Sequence, residues 1–273
     1  MDSDMDKKPK RSSLQPSVAY RIKCINFTMQ SSTLFALIMM ISAQVTPFKE
    51  AQLKNERVKT AYEEKEAVVK KYFGDKELSF EGYQLFIRGF KADGKLEAWV
   101  KAKGSDAFTL LHTYEFCAVS GELGPKRKEG DLQIPEGIYH VSHFNPQSNF
   151  YLSLGVSYPN ASDKILGHQH PGGAIYIHGN CVTIGCIPIT DDKIKELYVL
   201  AVEARNAGQK EIPIHLFPTP LTTQNLDQLK KQFPSTPLTI RFWENLQPVW
   251  KDFENTHKLK PVRIDRQGEY HLG

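Results

Sequence analysis

Apolar side chains are spaced differently in successive parts of this chain. Over residues 47–73, Leu53, Val58, Ala61, Tyr62, Val68, Val69 and Tyr72 recur among Lys, Glu, Gln and Ala. That spacing predicts a charged amphipathic helix packed on one side, with Gly74-Asp75 as its stop. From Leu78 alternation takes over. YQLFIRGFK, an Asp93-Gly94 turn and KLEAWVKAK predict a β-hairpin. Further strands are expected within FTLLHTYEFCAVSG (108–121), GIYHVSHF (137–144), FYLSLGVSY (150–158), AIYIH (174–178) and IPIHLFP (212–218). The clearest helix follows Cys186. Thr190 is its expected N-cap, and Asp191 and Asp192 suit the positive end of the helix dipole. Ile194, Leu197, Tyr198, Ala201 and Val202 form one face, and Gly208 fits the C′ position. Residues 226–233 and 242–255 read as two more helices, the second carrying Trp243, Trp250 and Phe253, with a fraying tail beyond. The expected fold is α+β, a mainly β core with flanking helices at both ends.

The longest apolar run, LFALIMMI (34–41), lies outside this plan. It spans only about half of a bilayer core, which takes roughly 20 helical residues. Basic residues precede it and Ser42-Ala43-Gln44 follows, the layout of a secretory signal peptide cut near Ala43 or Gln44. The alternative is a buried core helix. Four segments result: a signal peptide and leader (1–43), an amphipathic helical segment (44–76), a central domain (77–220) and a C-terminal helical extension (221–273). The expected location is outside the cytoplasm, in the periplasm or cell envelope, with no stable membrane span after cleavage.

Composition is that of a globular protein: 40% apolar, 24% charged and 11% aromatic residues. The formal net charge is +4, and residues 1–43 hold six bases against three acids. The remainder is nearly neutral, which argues against nucleic acid as a partner. Export would remove Cys24 and leave Cys117, Cys181 and Cys186, an odd number, so at least one thiol lacks an internal partner.

Candidate chemistry concentrates in IYIHGNCVTIGCIPITDD, where His178 ends a strand and Cys186 precedes a helix. The intervening loop can fold back and set a thiol beside an imidazole. An imidazolium there would stabilise thiolate, the nucleophilic form. Gly185 lets backbone approach a substrate closely, and N–H groups around Cys186 can face a developing oxyanion.

HGNCVTIGC resembles the signature of the L,D-transpeptidase (YkuD-like) catalytic domain, in particular its YafK-like branch. The resemblance extends through GPKRKEGD (124–131), IPEGIYHV (134–141), SYPN (157–160) and the glycine pair before IYIHG, over roughly residues 80–220. It implies an L,D-transpeptidase-type, mainly β catalytic core, with Cys186 as acyl-accepting nucleophile and His178 as its base. Gly179, Thr183 and Gly185 would shape the site. The wider family has a histidine two positions before the cysteine and an arginine after it; here Ile184 and Ile187 stand there, as in the YafK-like branch. The implied substrates are peptidoglycan stem peptides and the implied reaction is transpeptidation. The alternative on the same fold is a hydrolase, either an L,D-carboxypeptidase or endopeptidase or an amidase at diaminopimelate linkages. Thiol, imidazole and oxyanion donors suffice for acyl transfer, so no metal or organic cofactor is expected.

The other residues have plainer readings beside these. Cys117 and Cys181 read as packed thiols, although Cys181 could instead pair with Cys186. His168 and His170 either line the substrate mouth or solvate their loop. Tyr158 and Asn160 are candidates for the cleft wall, and Lys126 and Arg127 either meet stem-peptide carboxylates or form a charged loop. His215 fits a core or site-edge position. His168, His170, His178, Cys181 and Cys186 include zinc-ligand types, but without the close pairing that tight zinc sites favour. A zinc-binding or non-catalytic wall-binding module is therefore the rival from another class.

Overall fold

The computed structural model describes residues 47–273. The signal-peptide reading, its cleavage site and Cys24 lie outside the described residues. Among those described, no helix is long and apolar enough to cross a membrane.

The predicted hairpin is present. β1 (Gln84–Phe90) pairs antiparallel with β2 (Lys95–Lys101), and β2 with β3 (Thr109–Glu115). β4 (Gly137–Asn145), β5 (Ser153–Val156), β6 (Tyr176–His178), β7 (Ile187–Pro188) and β8 (Pro213–Phe217) complete one eight-stranded sheet, in the order β3-β2-β1-β8-β4-β5-β6-β7. β8 joins the two halves, running parallel to β1 and antiparallel to β4. Leu85, Ile87, Leu96, Ala98, Leu154, Ile177 and Ile214 are fully buried beneath it. The fold is α+β with a mainly β core.

α1 (Phe48–Gln52) and α2 (Glu56–Gly74) replace the single helix expected at the start, the chain breaking between them at residues 53–55. α2 buries Val58, Ala61, Tyr62, Val69 and Phe73, a one-sided face as its spacing predicts. A short helix, α3 (Ala161–Leu166), follows β5. α4 (Thr190–Asn206) buries all five apolar positions of its predicted face. Thr190 is its first residue rather than its cap, yet its hydroxyl still accepts from the Lys193 N–H at 3.3 Å. Gly208 ends the turn at φ +100, in the left-handed region glycine tolerates best. The Tyr62 and Tyr72 hydroxyls donate to Glu203 and Glu196 of α4 at 2.8 and 2.9 Å and fix α2 on that helix.

α5 (Thr223–Gln232) and α6 (Pro237–Thr256) form the C-terminal helices, and Trp243, Trp250 and Phe253 are all buried. The Trp243 indole N–H donates to Glu136 Oε2 at 2.7 Å, while the other Glu136 oxygen accepts from the Gly124 N–H at 2.8 Å. The expected fraying tail is instead a ribbon of β9 (Val262–Ile264) and β10 (Tyr270–Leu272). Tyr270 anchors it. Its ring is 3% exposed and its hydroxyl accepts from Asn160 Nδ2 at 2.8 Å, so burial and pairing outweigh the Pro and Gly content that suggested fraying.

Candidate active site

β6 and β7 are short parallel neighbours, with Ile177 opposite Ile187 and His178 opposite Pro188. Ile177 and Ile187 both go into the core. Strand alternation then puts Tyr176 and His178 on the opposite face, together with Cys186, which extends the register beside Tyr176. His178 and Cys186 therefore share one face of adjacent strands.

His178 is 1% exposed, and the Phe150 ring stacks on it with centroids 4.5 Å apart. Its Nδ1 meets the Gly179 carbonyl. A carbonyl only accepts, so Nδ1 carries the proton and Nε2 of the neutral ring presents a lone pair. Burial pushes the imidazole below its ordinary pKa, against the Gly179 carbonyl and the nearby Asp191 charge. Asp191 also accepts the Asn180 N–H at 2.7 Å, so the first turn of α4 fixes the backbone just after the histidine. Gly179 is required there, because a Cβ would collide with that carboxylate and stand 2.9 Å from the Phe150 carbonyl.

Cys186 is the free cysteine among the described residues. Its Sγ donates to the Ala174 carbonyl at 3.6 Å rather than to His178. Burial pushes the thiol up; the Tyr176 N–H and the positive charge of Lys126 pull it back in part. A raised thiol and a lowered imidazole both favour the neutral forms. Both shifts oppose the thiolate–imidazolium pair expected from the spacing, because burial penalises both charged forms. His178 can still act as general base once a substrate excludes water and draws Sγ toward Nε2.

The loop between them is pinned. Thr183 Oγ1 donates to the Cys186 carbonyl at 2.7 Å and accepts from the Gly185 N–H at 3.0 Å, so that N–H is engaged at rest. Gly185 takes φ +135, and a Cβ there would lie 3.0 Å from the Gln133 carbonyl. Cys181 and Cys117 are not packed thiols: they form a disulfide, Cα to Cα 5.3 Å, and the Cys117 N–H donates to the Pro188 carbonyl at 2.9 Å. Cys181 is thus unavailable either to Cys186 or to the zinc set considered above.

The remaining candidates scatter around the site. Tyr158 is buried and its hydroxyl donates to the Pro171 carbonyl at 3.0 Å. Asn160 caps α3, accepting from the Asp163 N–H at 3.0 Å. His170 is exposed, and its carbonyl ties the 168–173 loop to the Glu129 N–H at 3.0 Å. Lys126 is 4% exposed and ion-paired with Asp131 at 2.5 Å. His215 is buried in β8, where burial and Arg88 hold it at about 3. Ile187 is fully buried whereas Ile184 is 78% exposed, so only Ile184 adds apolar surface at the rim. Sequence context does not single out Phe150 or Asp191 as site residues: Phe150 reads as the first residue of an expected strand, although it sits in a turn, and Asp191 as an ordinary dipole partner.

A buried imidazole of fixed tautomer and, among the described residues, one free thiol thus lie on adjacent strands, the two residue types that cysteine-based acyl transfer uses. The chain belongs to the L,D-transpeptidase catalytic domain (YkuD) family, whose domain matches residues 93–214. It is 33% identical over 186 residues to "Putative L,D-transpeptidase YafK" of Escherichia coli K12, an alignment covering 67% of this chain and 72% of that one. Among solved structures, it is similar to the helical cell shape determining protein Pgp2 of Campylobacter jejuni, at 17% identity and TM-score 0.41 over 72% of this chain and 80% of that one. It is also similar to Bd1075 of Bdellovibrio bacteriovorus, at 23% identity and TM-score 0.37 over 63% and 60%.

Proposed function

We propose that the protein is a cysteine-dependent peptidoglycan L,D-transpeptidase, working outside the cytoplasm and remodelling the cell wall through an acyl-enzyme on Cys186. The observation that carries this reading is the pairing of β6 with β7, which sets the one free thiol among the described residues and a buried, Nε2-accepting histidine on the same face of the sheet. Membership of the family and the disulfide beside the site, which suits an oxidising compartment, support it.

In the first half-reaction His178 Nε2 takes the Sγ proton as sulfur attacks the carbonyl at the L-centre of the third stem residue. The C–N bond to D-alanine breaks, and the imidazolium returns its proton to the leaving amine. In the second half an acceptor amine attacks the thioester, gives its proton to Nε2, and the C–S bond breaks to restore the thiol. Water in place of the amine gives hydrolysis.

Incubation with purified muropeptides and mass analysis of the products tests the assignment. Cross-linked or amino-acid-exchanged products are expected. Tripeptides or freed diaminopimelate-linked partners alone, at high acceptor concentration, would make the enzyme a hydrolase. Amino-terminal sequencing of the protein from the cell envelope tests export; a mature start near Gln44 is expected, and an intact Met1 on a cytoplasmic protein would contradict it.

A further inference from the structure

The C-terminal extension does more than cap the sheet. Together with the loop at 123–133 it encloses a cleft of about 560 Å³, within the ~300–1,000 Å³ typical of small-ligand sites. Loop residues Arg127 and Gln133 form one wall; Leu238, Arg241 and Phe242 of α6 and Glu269 of the ribbon form the other. The α6 and ribbon residues all fall beyond the family domain at 93–214.

Three features of the lining point to a ligand. Arg127 sits in a built position, its guanidinium over the Phe242 ring at 4.9 Å and its Nη1 donating to the fully buried Asp163 at 3.0 Å. That bond uses one of five guanidinium donors, and no other side-chain bond from Arg127 is present among the described residues. Opposite it, Arg241 is 70% exposed and donates from Nε and Nη2 to Glu269 Oε1, a solvent-exposed pair for which a ligand carboxylate would have to compete. Leu238, 81% exposed, and half-exposed Leu166 add an apolar lip that bare solvent does not favour. Two guanidiniums above apolar surface match a short peptide with small aliphatic side chains and a free carboxylate.

One residue links the cleft to the loop that carries Cys186. Gln133 lines it, and the Gln133 carbonyl is the atom against which Gly185 packs. Lys126, whose charge reaches Cys186, lies between the cleft residues Pro125 and Arg127.

We propose that this cleft is a second binding subsite, supplied by the C-terminal extension, that holds the carboxylate-bearing part of a stem peptide while Cys186 reacts. The proposal rests on the transpeptidase reading for the identity of the peptide.

Calorimetry on the full chain carrying Cys186→Ala, with the free stem tetrapeptide as probe, tests it. Leu238→Glu, at an exposed position, places a negative charge at the lip and should weaken binding at least tenfold. Arg127→Lys keeps the charge but loses the fork and should weaken it several-fold. Circular dichroism and Tm of each variant check that the fold is intact. No binding at millimolar peptide, or affinities unchanged in both variants, overturns the subsite. Turnover of muropeptides by the unmodified enzyme is read separately. Turnover with cleft-independent binding sinks the subsite alone, whereas cleft-dependent binding without turnover sinks the transpeptidase reading alone.

Discussion

At the scale of single residues the proposed chemistry rests on Cys186 and His178. Cys186→Ala should abolish muropeptide turnover, a loss of ~10⁴-fold or more, and His178→Ala should cost ~10²–10⁴-fold. Because burial raises the thiol and lowers the imidazole, alkylation of the resting enzyme should still be climbing above pH 9, without a plateau near neutrality. A plateau below pH 7 in an iodoacetamide rate profile would show that the pair rests as thiolate and imidazolium after all. That His178 and Cys186 come onto neighbouring strands was legible in the sequence, because the two fall within nine positions in HGNCVTIGC. Their ionisation was not legible. It depends on Phe150 stacking from another turn and on the buried setting of β6 and β7, neither of which local spacing encodes.

At the scale of elements, the strands and α4 followed from alternation and helical periodicity, because each buries one regular face. The ribbon and the disulfide were missed because both depend on partners far along the chain. The β9–β10 ribbon is stabilised by Asn160 and by Asn245, whose side chain accepts the Tyr270 N–H at 2.7 Å. The Cys117–Cys181 disulfide closes a separation of 64 residues. The odd cysteine count carried the only hint of it: with one thiol reserved for chemistry, the other two are free to pair. Cys117→Ser/Cys181→Ser should lower stability by about 2–4 kcal/mol in a denaturant titration, since the link restricts the unfolded chain. It should also slow turnover, by releasing the loop between His178 and Cys186. Unchanged stability and turnover would mean the bridge is dispensable. Trp243→Phe removes the indole N–H from buried Glu136 and should cost about 1–3 kcal/mol, read in the same titration.

At the scale of the whole molecule, buried Asp163 ties β4, α3 and the 123–133 loop together through Tyr139, Asn160 and Arg127. Burial raises its pKa to about 6, from 3.8, with the Asn160 N–H, Arg127 and Tyr139 opposing. The folded protein therefore holds a proton there that the unfolded chain releases between pH 4 and 6. Stability from this group is full below pH 4 and falls as pH rises to 6, by on the order of 2–3 kcal/mol. Relative to Asp163→Asn, which does not titrate, the unmodified protein should lose that amount across the window; a flat difference would contradict the assignment. Residues 221–273 were expected as a helical extension, and they pack against the sheet and the 123–133 loop through Trp243 and Glu136. The central claim, that the shared face of β6 and β7 forms an acyl-enzyme, is tested most directly by intact mass. The full chain is mixed with stem tetrapeptide, quenched in acid and digested for peptide mapping. The expected result is a tripeptide acyl adduct on Cys186, lost on Cys186→Ala and slow to form with His178→Ala. An adduct at another residue, or turnover that survives Cys186→Ala, would contradict it.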